Sequence, residues 1–136
     1  MDGETRPGLL HEQLTGSVIQ SFFRVYDELR FGYREHIYGL ALERELVEAG
    51  HDVARESAVM VYYRGRPLAR QRLDMIVDGK VAVEIKATRA LPPDATAQLF
   101  SYLCATDLEV GLLLHFGPKP RFFRVICENR LRNSPA

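Results

Sequence analysis

Residues 71–86 carry the strongest structural pattern in this sequence. Apolar and polar residues alternate on both sides of Asp78-Gly79, a dipeptide typical of β-hairpin turns. Because side chains alternate between the two faces of a strand, one face of the hairpin is predicted to hold two apolar rows. These rows are Leu73, Met75 and Val77 on the first strand and Val81, Val83 and Ile85 on the second. Asp74, Glu84 and Lys86 are then predicted to project from the opposite face.

The length of the hairpin loop decides whether both apolar rows can be buried together. A two-residue loop at Asp78-Gly79 would set the rows on opposite faces of the hairpin. A three-residue loop, 77–79 with its glycine left-handed, pairs Asp74 with Ala82 and makes Asp74 a diagonal neighbour of Glu84. Both rows then share one face, so we predict this loop or an equivalent bulge.

Two carboxylates in this arrangement indicate a cation site. Neighbouring carboxylates raise each other's pKa unless a cation lies between them. Hard divalent ions such as Mg²⁺ take one or two carboxylates together with water and substrate phosphate. Lys86 could orient a water molecule or stabilise charge developing on a phosphate. The alternative is a solvated strand face with a weak ion pair between Glu84 and Lys86, because Glu-x-Lys is a common tripeptide.

The composition predicts one soluble globular domain without a global attraction to polyanions. The chain has 136 residues, is 46% hydrophobic and has a formal net charge of zero, so any nucleic-acid site has to be local. Cys104 and Cys127 have no metal-ligand spacing and are expected to be buried free thiols, as in a reducing cytosol. No signal peptide or membrane-spanning run is recognisable, so we expect a cytoplasmic protein that does not enter membranes.

Hydrophobic periodicity predicts three helices and five strands between two polar tails. The predicted tails are 1–8 and 128–136, and the domain between them is 9–127. The predicted helices are 9–29, 34–49 and 92–106. The predicted strands are 53–63, the two strands of the 71–86 hairpin, 109–116 and 122–127. The nearly continuous apolar sequence of 109–116 predicts a strand buried on both faces.

Further polar residues are candidates for binding or support. Glu35 lies one turn before Tyr38 on the predicted inward stripe of the second helix, where an acid needs a partner, although a helix N-terminal acid is an equally good interpretation. Gln98 and Tyr102 form an i,i+4 pair on the third helix, where Gln98 could position a water or phosphate and Tyr102 a base or phosphate oxygen.

The densest basic cluster surrounds the turn that follows the 53–63 strand. Its members could bind phosphates through bidentate hydrogen bonds, or could form a solvated hairpin tip that resists aggregation; they are Arg64, Arg66, Arg70 and Arg72.

In their order along the chain, these elements resemble the PD-(D/E)XK nuclease superfamily. The shared features are Arg72-Leu73-Asp74, Glu84-Ile85-Lys86-Ala87, Gln98-Leu99-Phe100-Ser101-Tyr102 and the 111–117 strand. Residues 32–38, Gly-Tyr-Arg-Glu-His-Ile-Tyr, resemble more narrowly the signature of the GxxExxY protein family. The resemblance implies an α/β, restriction-endonuclease-like αβββαβ core, with a central mixed sheet flanked by helices and an extra N-terminal helix.

The resemblance also implies roles for individual residues. Asp74 and Glu84 would bind Mg²⁺ or Mn²⁺ together with the backbone carbonyl of Ile85, and Lys86 would be the catalytic lysine. Glu35 would support the site from the first core helix. Gln98 and Tyr102 would match the QxxxY motif of RecB-like nucleases. The chain departs from the family at Leu73, which replaces a proline, at Gly39, which replaces an acid, and at Arg30-Phe31-Gly32, which replaces a Gly-Pro-Gly-like turn; none of these touches the implied ligands.

Two functions are compatible with these residues. The first is a metal-dependent nuclease that hydrolyses phosphodiester bonds of DNA or RNA, with Tyr102, Arg64, Arg66 and Arg72 contacting the nucleic acid. The second is a catalytically silent, nuclease-like module that binds nucleic acid or a protein partner. A homodimer is plausible for either, because a domain of this size lacks accessory elements for holding a long substrate.

Overall fold

A mixed sheet of five strands forms the centre of the protein. The computed structural model describes residues 11–128, and the predicted 1–8 tail and all but Glu128 of the predicted 128–136 tail lie outside this range. The described elements are α1 (Glu12–Leu29), α2 (Glu35–Glu48), β1 (Val53–Tyr63), β2 (Arg66–Val77), β3 (Val81–Lys86), α3 (Ala95–Cys104), β4 (Val110–Phe116) and β5 (Pro120–Ile126). Within this range, no helix has the length and apolar composition needed to cross a membrane.

The strands follow one another across the sheet in chain order. β3 and β4 are parallel and are linked by α3, whereas the other neighbouring strands are antiparallel. One apolar cluster joins α1 and α2 to one face of the sheet, and a second joins α3 to the other face. This arrangement confirms the predicted α/β, restriction-endonuclease-like fold, with β5 as a further edge strand.

The predicted helical stripes form the larger of the two clusters. Tyr38, Leu42 and Leu46 of α2 are fully buried, as are Val18 and Phe22 of α1. At this packing density a buried leucine replaced by alanine costs roughly 2 to 5 kcal/mol. The helical stripes therefore hold both helices against the sheet.

Tyr38 also fixes the connection between α1 and α2. Its ring stacks on Phe116 with centroids 4.1 Å apart. Its hydroxyl donates a hydrogen bond to the carbonyl of Arg30 and accepts one from the backbone N–H of Tyr33. The loop before α2 is consequently tied to the core, which determines where α2 begins and where Glu35 lies.

Element boundaries mostly agree with the predicted ones. β1 has the predicted limits and all seven residues of β4 are buried, as predicted for a strand covered on both faces. α3 begins later than predicted, at Ala95, after a turn in which the N–H of Ala95 donates to the carbonyl of Pro92. β5 begins two residues earlier than predicted, because Pro120 pairs with Phe116 of β4.

The turn between β2 and β3 lies one residue later than predicted. Val77 is the last paired residue of β2, so the loop comprises residues 78–80. Continued along both strands, this register places Asp74 opposite Glu84, and the predicted pairing of Asp74 with Ala82 is wrong. The partner of Asp74 on β3 thus changes by two residues, from 82 to 84. Because side chains alternate with a period of two, this shift does not change which face of the hairpin each side chain occupies.

The shift has a cause outside the hairpin. The Asp78 carboxylate accepts a hydrogen bond of 2.7 Å from the N–H of Asp52 and lies 2.8 Å from Nδ1 of His51. The N–H of Asp78 donates to the carbonyl of Asp52 at 2.7 Å. These contacts hold Asp78 as the first residue of the turn, with positive φ at both Asp78 and Gly79. The local hairpin sequence does not reveal them, because Asp52 is 26 residues away.

The predicted apolar row on β2 is interrupted. Met75 and Val77 join the cluster under α1 and α2, but Leu73 joins the cluster under α3. The change of face occurs at Asp74, opposite a positive φ of 52° at Glu56 in β1. Alternation along β2 is therefore not regular at Asp74, and the prediction of a single row is wrong at Leu73.

The two cysteines form a disulfide, and the prediction of free thiols is wrong. Cys104 at the end of α3 and Cys127 just after β5 have Cα atoms 5.6 Å apart and an S–S distance of 2.08 Å. Both belong to the cluster between α3 and the sheet, where the fold brings them together across 23 residues of sequence. Spacing along the chain carries no signal for this pairing.

Candidate active site

The strands β2 and β3 part where two acidic side chains enter between them. Their backbone pairing ends at Met75 and Val83. Beyond that point Asp74 Oδ2 accepts a hydrogen bond of 2.7 Å from the N–H of Ile85, and Glu84 Oε2 accepts one of 3.0 Å from the N–H of Asp74. The two carboxylates therefore take the place of backbone carbonyls as acceptors between the strands. We call this point, where β2 and β3 separate at Asp74 and Glu84, the fork.

Each carboxylate keeps a second oxygen for another partner. Among residues 11–128, neither Asp74 Oδ1 nor Glu84 Oε1 accepts a hydrogen bond. Asp74 lines a cavity of about 180 Å³. The other residues that line it come from α2, β1, β2 and β3; they are Glu35, His36, Gly39, Arg55, Glu56, Arg72 and Ile85.

The surroundings of Glu84 disfavour the charged form of its carboxyl group. The pKa of Glu84 is raised from its ordinary value of 4.5 to about 8, first by burial and second by the neighbouring Asp74 carboxylate. Glu35 raises this pKa further, whereas the Asp74 N–H and the Lys86 ammonium lower it. A cation placed between the acids would favour the charged form of Glu84.

The acids alone do not make a complete cage. No group of three or more His, Cys, Asp or Glu side chains between residues 11 and 128 is arranged to hold a metal ion. Mg²⁺ does not need such a group, because it usually keeps several waters and takes one or two carboxylates with substrate phosphate. The donor set of two carboxylates and a nearby backbone carbonyl fits that chemistry.

Most of the predicted site residues meet at this cavity. Asp74, Ile85, Glu35 and Arg72 line it, and Lys86 is close enough for its charge to act on Glu84. Glu35 is exposed in the first turn of α2, so its predicted place on the buried stripe is wrong. The first turn of a helix favours a negative charge, and from there Glu35 faces the cavity.

The remaining predicted residues lie elsewhere. Gln98 is exposed and Tyr102 half-buried on α3, and within residues 11–128 no hydrogen bond joins either side chain to the acids. Arg64 and Arg66 are exposed at the turn between β1 and β2. At about 3.3 Å per strand residue, that turn is roughly 25 Å from Asp74.

Arg55 lines the cavity but was not predicted from the sequence. Its guanidinium donates a hydrogen bond of 3.2 Å to Glu43, and a Cβ placed on Gly39 would lie 3.2 Å from the same group. Gly39 therefore leaves space for this cation beside the acids. An arginine at an inward position of the alternating β1 pattern was the available signal.

His115 of β4 makes a structural contact. The ring is buried, and its Nε2 lies 2.7 Å from the carbonyl of Thr88, so Nε2 carries the proton and donates. Thr88 lies in the loop two residues beyond Lys86, which is the last residue of the neighbouring strand β3. His115 thus holds the loop that follows the lysine.

Comparisons with known proteins agree with this geometry. The model of the PD-(D/E)XK nuclease superfamily matches residues 12–125. No curated protein gives a match. Among solved structures, the chain is similar to one described as "Crystal structure of SSO0001", with 23% sequence identity and a TM-score of 0.54 over 67% of this chain and 48% of that chain. The chain thus spans about half the length of that protein, and the likeness supports the fold alone. Since the superfamily model covers most of the sequence and both acids at the fork, this chain belongs to the PD-(D/E)XK nuclease superfamily.

Proposed function

We propose that the protein is a metal-dependent nuclease that hydrolyses phosphodiester bonds of DNA or RNA. One observation carries the proposal: Asp74 and Glu84 are fixed at the fork of β2 and β3 by one oxygen each, with the other oxygen left for a cation. Membership of the nuclease superfamily supports this reaction class.

The proposed ligands suit a small, hard cation. Asp74, Glu84 and the carbonyl of Ile85 would hold Mg²⁺ or Mn²⁺, and nucleases of this superfamily generally use divalent metals. When bound, such an ion lowers the pKa of a coordinated water and offsets phosphate charge. The raised pKa of Glu84 supports the assignment, because burial and the neighbouring Asp74 carboxylate both disfavour its charged form, which a bound cation would favour.

The surrounding side chains supply the rest of the proposed mechanism. Lys86 would position the attacking water and stabilise the negative charge that grows on the phosphate. Arg72, at the cavity rim, would hold a neighbouring phosphate through its planar guanidinium. Glu35, facing the same cavity, would accept a hydrogen bond from an ordered water.

Within the superfamily, we also propose that the chain belongs to the GxxExxY family and carries the QxxxY motif of RecB-like nucleases. The GxxExxY signature places Glu35 one turn before the buried Tyr38, and the QxxxY pair of Gln98 and Tyr102 follows Lys86 in sequence. Gln98 and Tyr102 would contact substrate from the α3 side. Arg64 and Arg66 would contact phosphates distant from the reacting bond.

Cleavage assays test the reaction. Single- and double-stranded DNA and RNA are incubated with Mg²⁺ or Mn²⁺ and wild-type protein, Asp74→Asn or Lys86→Ala. Asp74→Asn is the sharper variant, since its amide oxygen can still accept the Ile85 N–H while the charge is lost. Lys80→Ala is the matched control, because this exposed lysine precedes β3 at the end opposite to Lys86. We expect metal-dependent products from wild type and Lys80→Ala only.

Thermal melting separates the enzyme from a silent module. Mn²⁺ at 100 times its dissociation constant should stabilise the wild type by about 2.7 kcal/mol, and Asp74→Asn should lose this effect. Nucleic-acid binding without metal-dependent melting or product would favour the silent module. Equal cleavage by wild type, Asp74→Asn and Lys86→Ala would contradict the assigned site.

A further inference from the structure

The outer half of the β1–β2 hairpin extends beyond the rest of the sheet. β2 pairs with β3 only at residues 75–77, whereas it pairs with β1 along nearly its whole length. We call residues 57–73 the arm; its two strands have only each other as hydrogen-bonded neighbours.

The arm is strongly basic within a neutral chain. It contains Arg64, Arg66, Arg70 and Arg72 and no acidic residue, although the chain as a whole has 18 basic and 18 acidic residues. The rest of the chain therefore carries the balancing excess of acids. This local charge is complementary to a phosphate backbone.

One face of the arm is continuous with the cavity of the candidate active site. Val59 and Leu73 pack against the cluster under α3, so the alternate residues of the arm face the α2 side. Arg72 and Arg70 lie on that side opposite Ala58 and Met60. Tyr62 is the next alternate residue of β1; the pairing shifts just before it, where Leu68 is an extra residue on β2, and β1 itself carries no insertion. Arg72 also lines the cavity that contains Asp74.

The far end of this face presents an aromatic ring to solvent. Tyr62 is 57% exposed and pairs with Pro67, seven residues along β2 from Asp74. At about 3.3 Å per residue this is roughly 23 Å, a distance that a short oligonucleotide can span. Tyr63 is 58% exposed, but it belongs to the opposite face.

We propose that the face formed by Arg72, Arg70 and Tyr62 binds one unpaired strand of nucleic acid and leads it into the cavity. Arginines that follow a backbone, together with an aromatic ring that stacks on a base, are the recurring elements of single-strand binding. A duplex keeps its bases paired and stacked internally, so it cannot use Tyr62 in this way. The substrate class that follows is single-stranded DNA or RNA, which rests on the proposed nuclease function.

Binding without divalent metal tests the arm separately from catalysis. Fluorescence anisotropy measures the affinity of a labelled 12-nucleotide oligo(dT), an oligo(U) of the same length and a 12-base-pair duplex. Loss of one base–aromatic stack weakens binding about ten-fold, so Tyr62→Ala should show this loss for either single strand. Tyr62→Phe should keep the affinity, because the ring remains.

Tyr63→Ala is the matched control, as it removes the same side chain at the same end of the arm from the other face. We expect its affinity for the single strands to stay within about two-fold of wild type, which is small against the loss of a full stack. Melting temperatures of the variants verify that the fold is intact.

Three results would overturn the inference: unchanged affinity in Tyr62→Ala, an equal loss in Tyr62→Ala and Tyr63→Ala, or tighter duplex binding that does not depend on Tyr62. Cleavage, measured in parallel, keeps the two proposals distinct. Binding that depends on Tyr62 without hydrolysis would support the arm and contradict the nuclease. Hydrolysis that is independent of Tyr62 would support the nuclease and contradict the role of the arm.

Discussion

Replacing Glu84 with glutamine is predicted to stabilise the metal-free protein while removing its response to metal. The raised pKa of Glu84 means that the folded chain holds this proton more tightly than the unfolded chain does. The stability gained in this way is complete below a pH of about 4.5 and is lost as the pH rises through about 8. Glutamine is neutral throughout and can still accept the N–H of Asp74.

The magnitude follows from the two protonation constants. A change from 4.5 to about 8 corresponds to about 3 kcal/mol at pH 7, when the unfolded chain has lost the proton and the folded chain still holds it. Glu84 is only partly buried and solvent screens part of this penalty, so we expect Glu84→Gln to raise the free energy of unfolding at pH 7 by about 2 kcal/mol.

Urea denaturation in a chelating buffer at pH 5, 7 and 8.5 measures the effect. The stability of the wild type should fall across this range by more than that of Glu84→Gln, since Glu84 no longer contributes in the variant. Glu48→Gln, a change at an exposed position of α2, is the control and should stay within about 0.5 kcal/mol of wild type. Mn²⁺ should stabilise the wild type and Glu48→Gln but not Glu84→Gln.

A destabilised Glu84→Gln protein, or one with the pH dependence of the wild type, would refute the reasoning. Either result would mean that the Glu84 carboxylate is compensated at the fork and does not need an added cation.

Two other perturbations test separate parts of the structure. Replacing Cys104 and Cys127 together with alanine is expected to lower the free energy of unfolding by about 3 kcal/mol, as estimated from the chain entropy of a disulfide across 23 residues. Urea denaturation measures this; a reductant should destabilise the wild type alone, and an equal response of both proteins would argue against the bond. Replacing Arg64 and Arg66 together with alanine is expected to weaken nucleic-acid binding and to reduce its salt slope by about two, with the Mn²⁺ effect on melting retained. Unchanged affinity over a salt titration would leave that turn with a role in solubility only.

The features that sequence predicted well depend on local periodicity. The buried stripe of Tyr38, Leu42 and Leu46 follows from helical spacing, and the burial of β4 from its unbroken apolar sequence. The proximity of Asp74 and Glu84 was predictable for a similar reason. Burial of the hairpin's apolar residues allows only registers that differ by an even number of residues, and all of these keep the two acids on the same face.

The features that sequence did not predict depend on contacts between distant residues. Asp52 holds Asp78 at the turn from 26 residues away, which moved the register. Leu73 lies on the opposite face from Met75, although the spacing of the two residues predicts a shared face. The disulfide, likewise, becomes apparent only when α3 has packed beside β5.

The fork at Asp74 and Glu84 has a consequence for how this protein can evolve. Each acid also satisfies a main-chain N–H, so an aliphatic replacement leaves that donor without its acceptor, at about 1 to 3 kcal/mol where it is buried. A descendant that abandoned catalysis would still be selected to keep asparagine or glutamine at these two positions. Inactive relatives of this protein should therefore carry polar side chains, and not aliphatic ones, at the positions of Asp74 and Glu84.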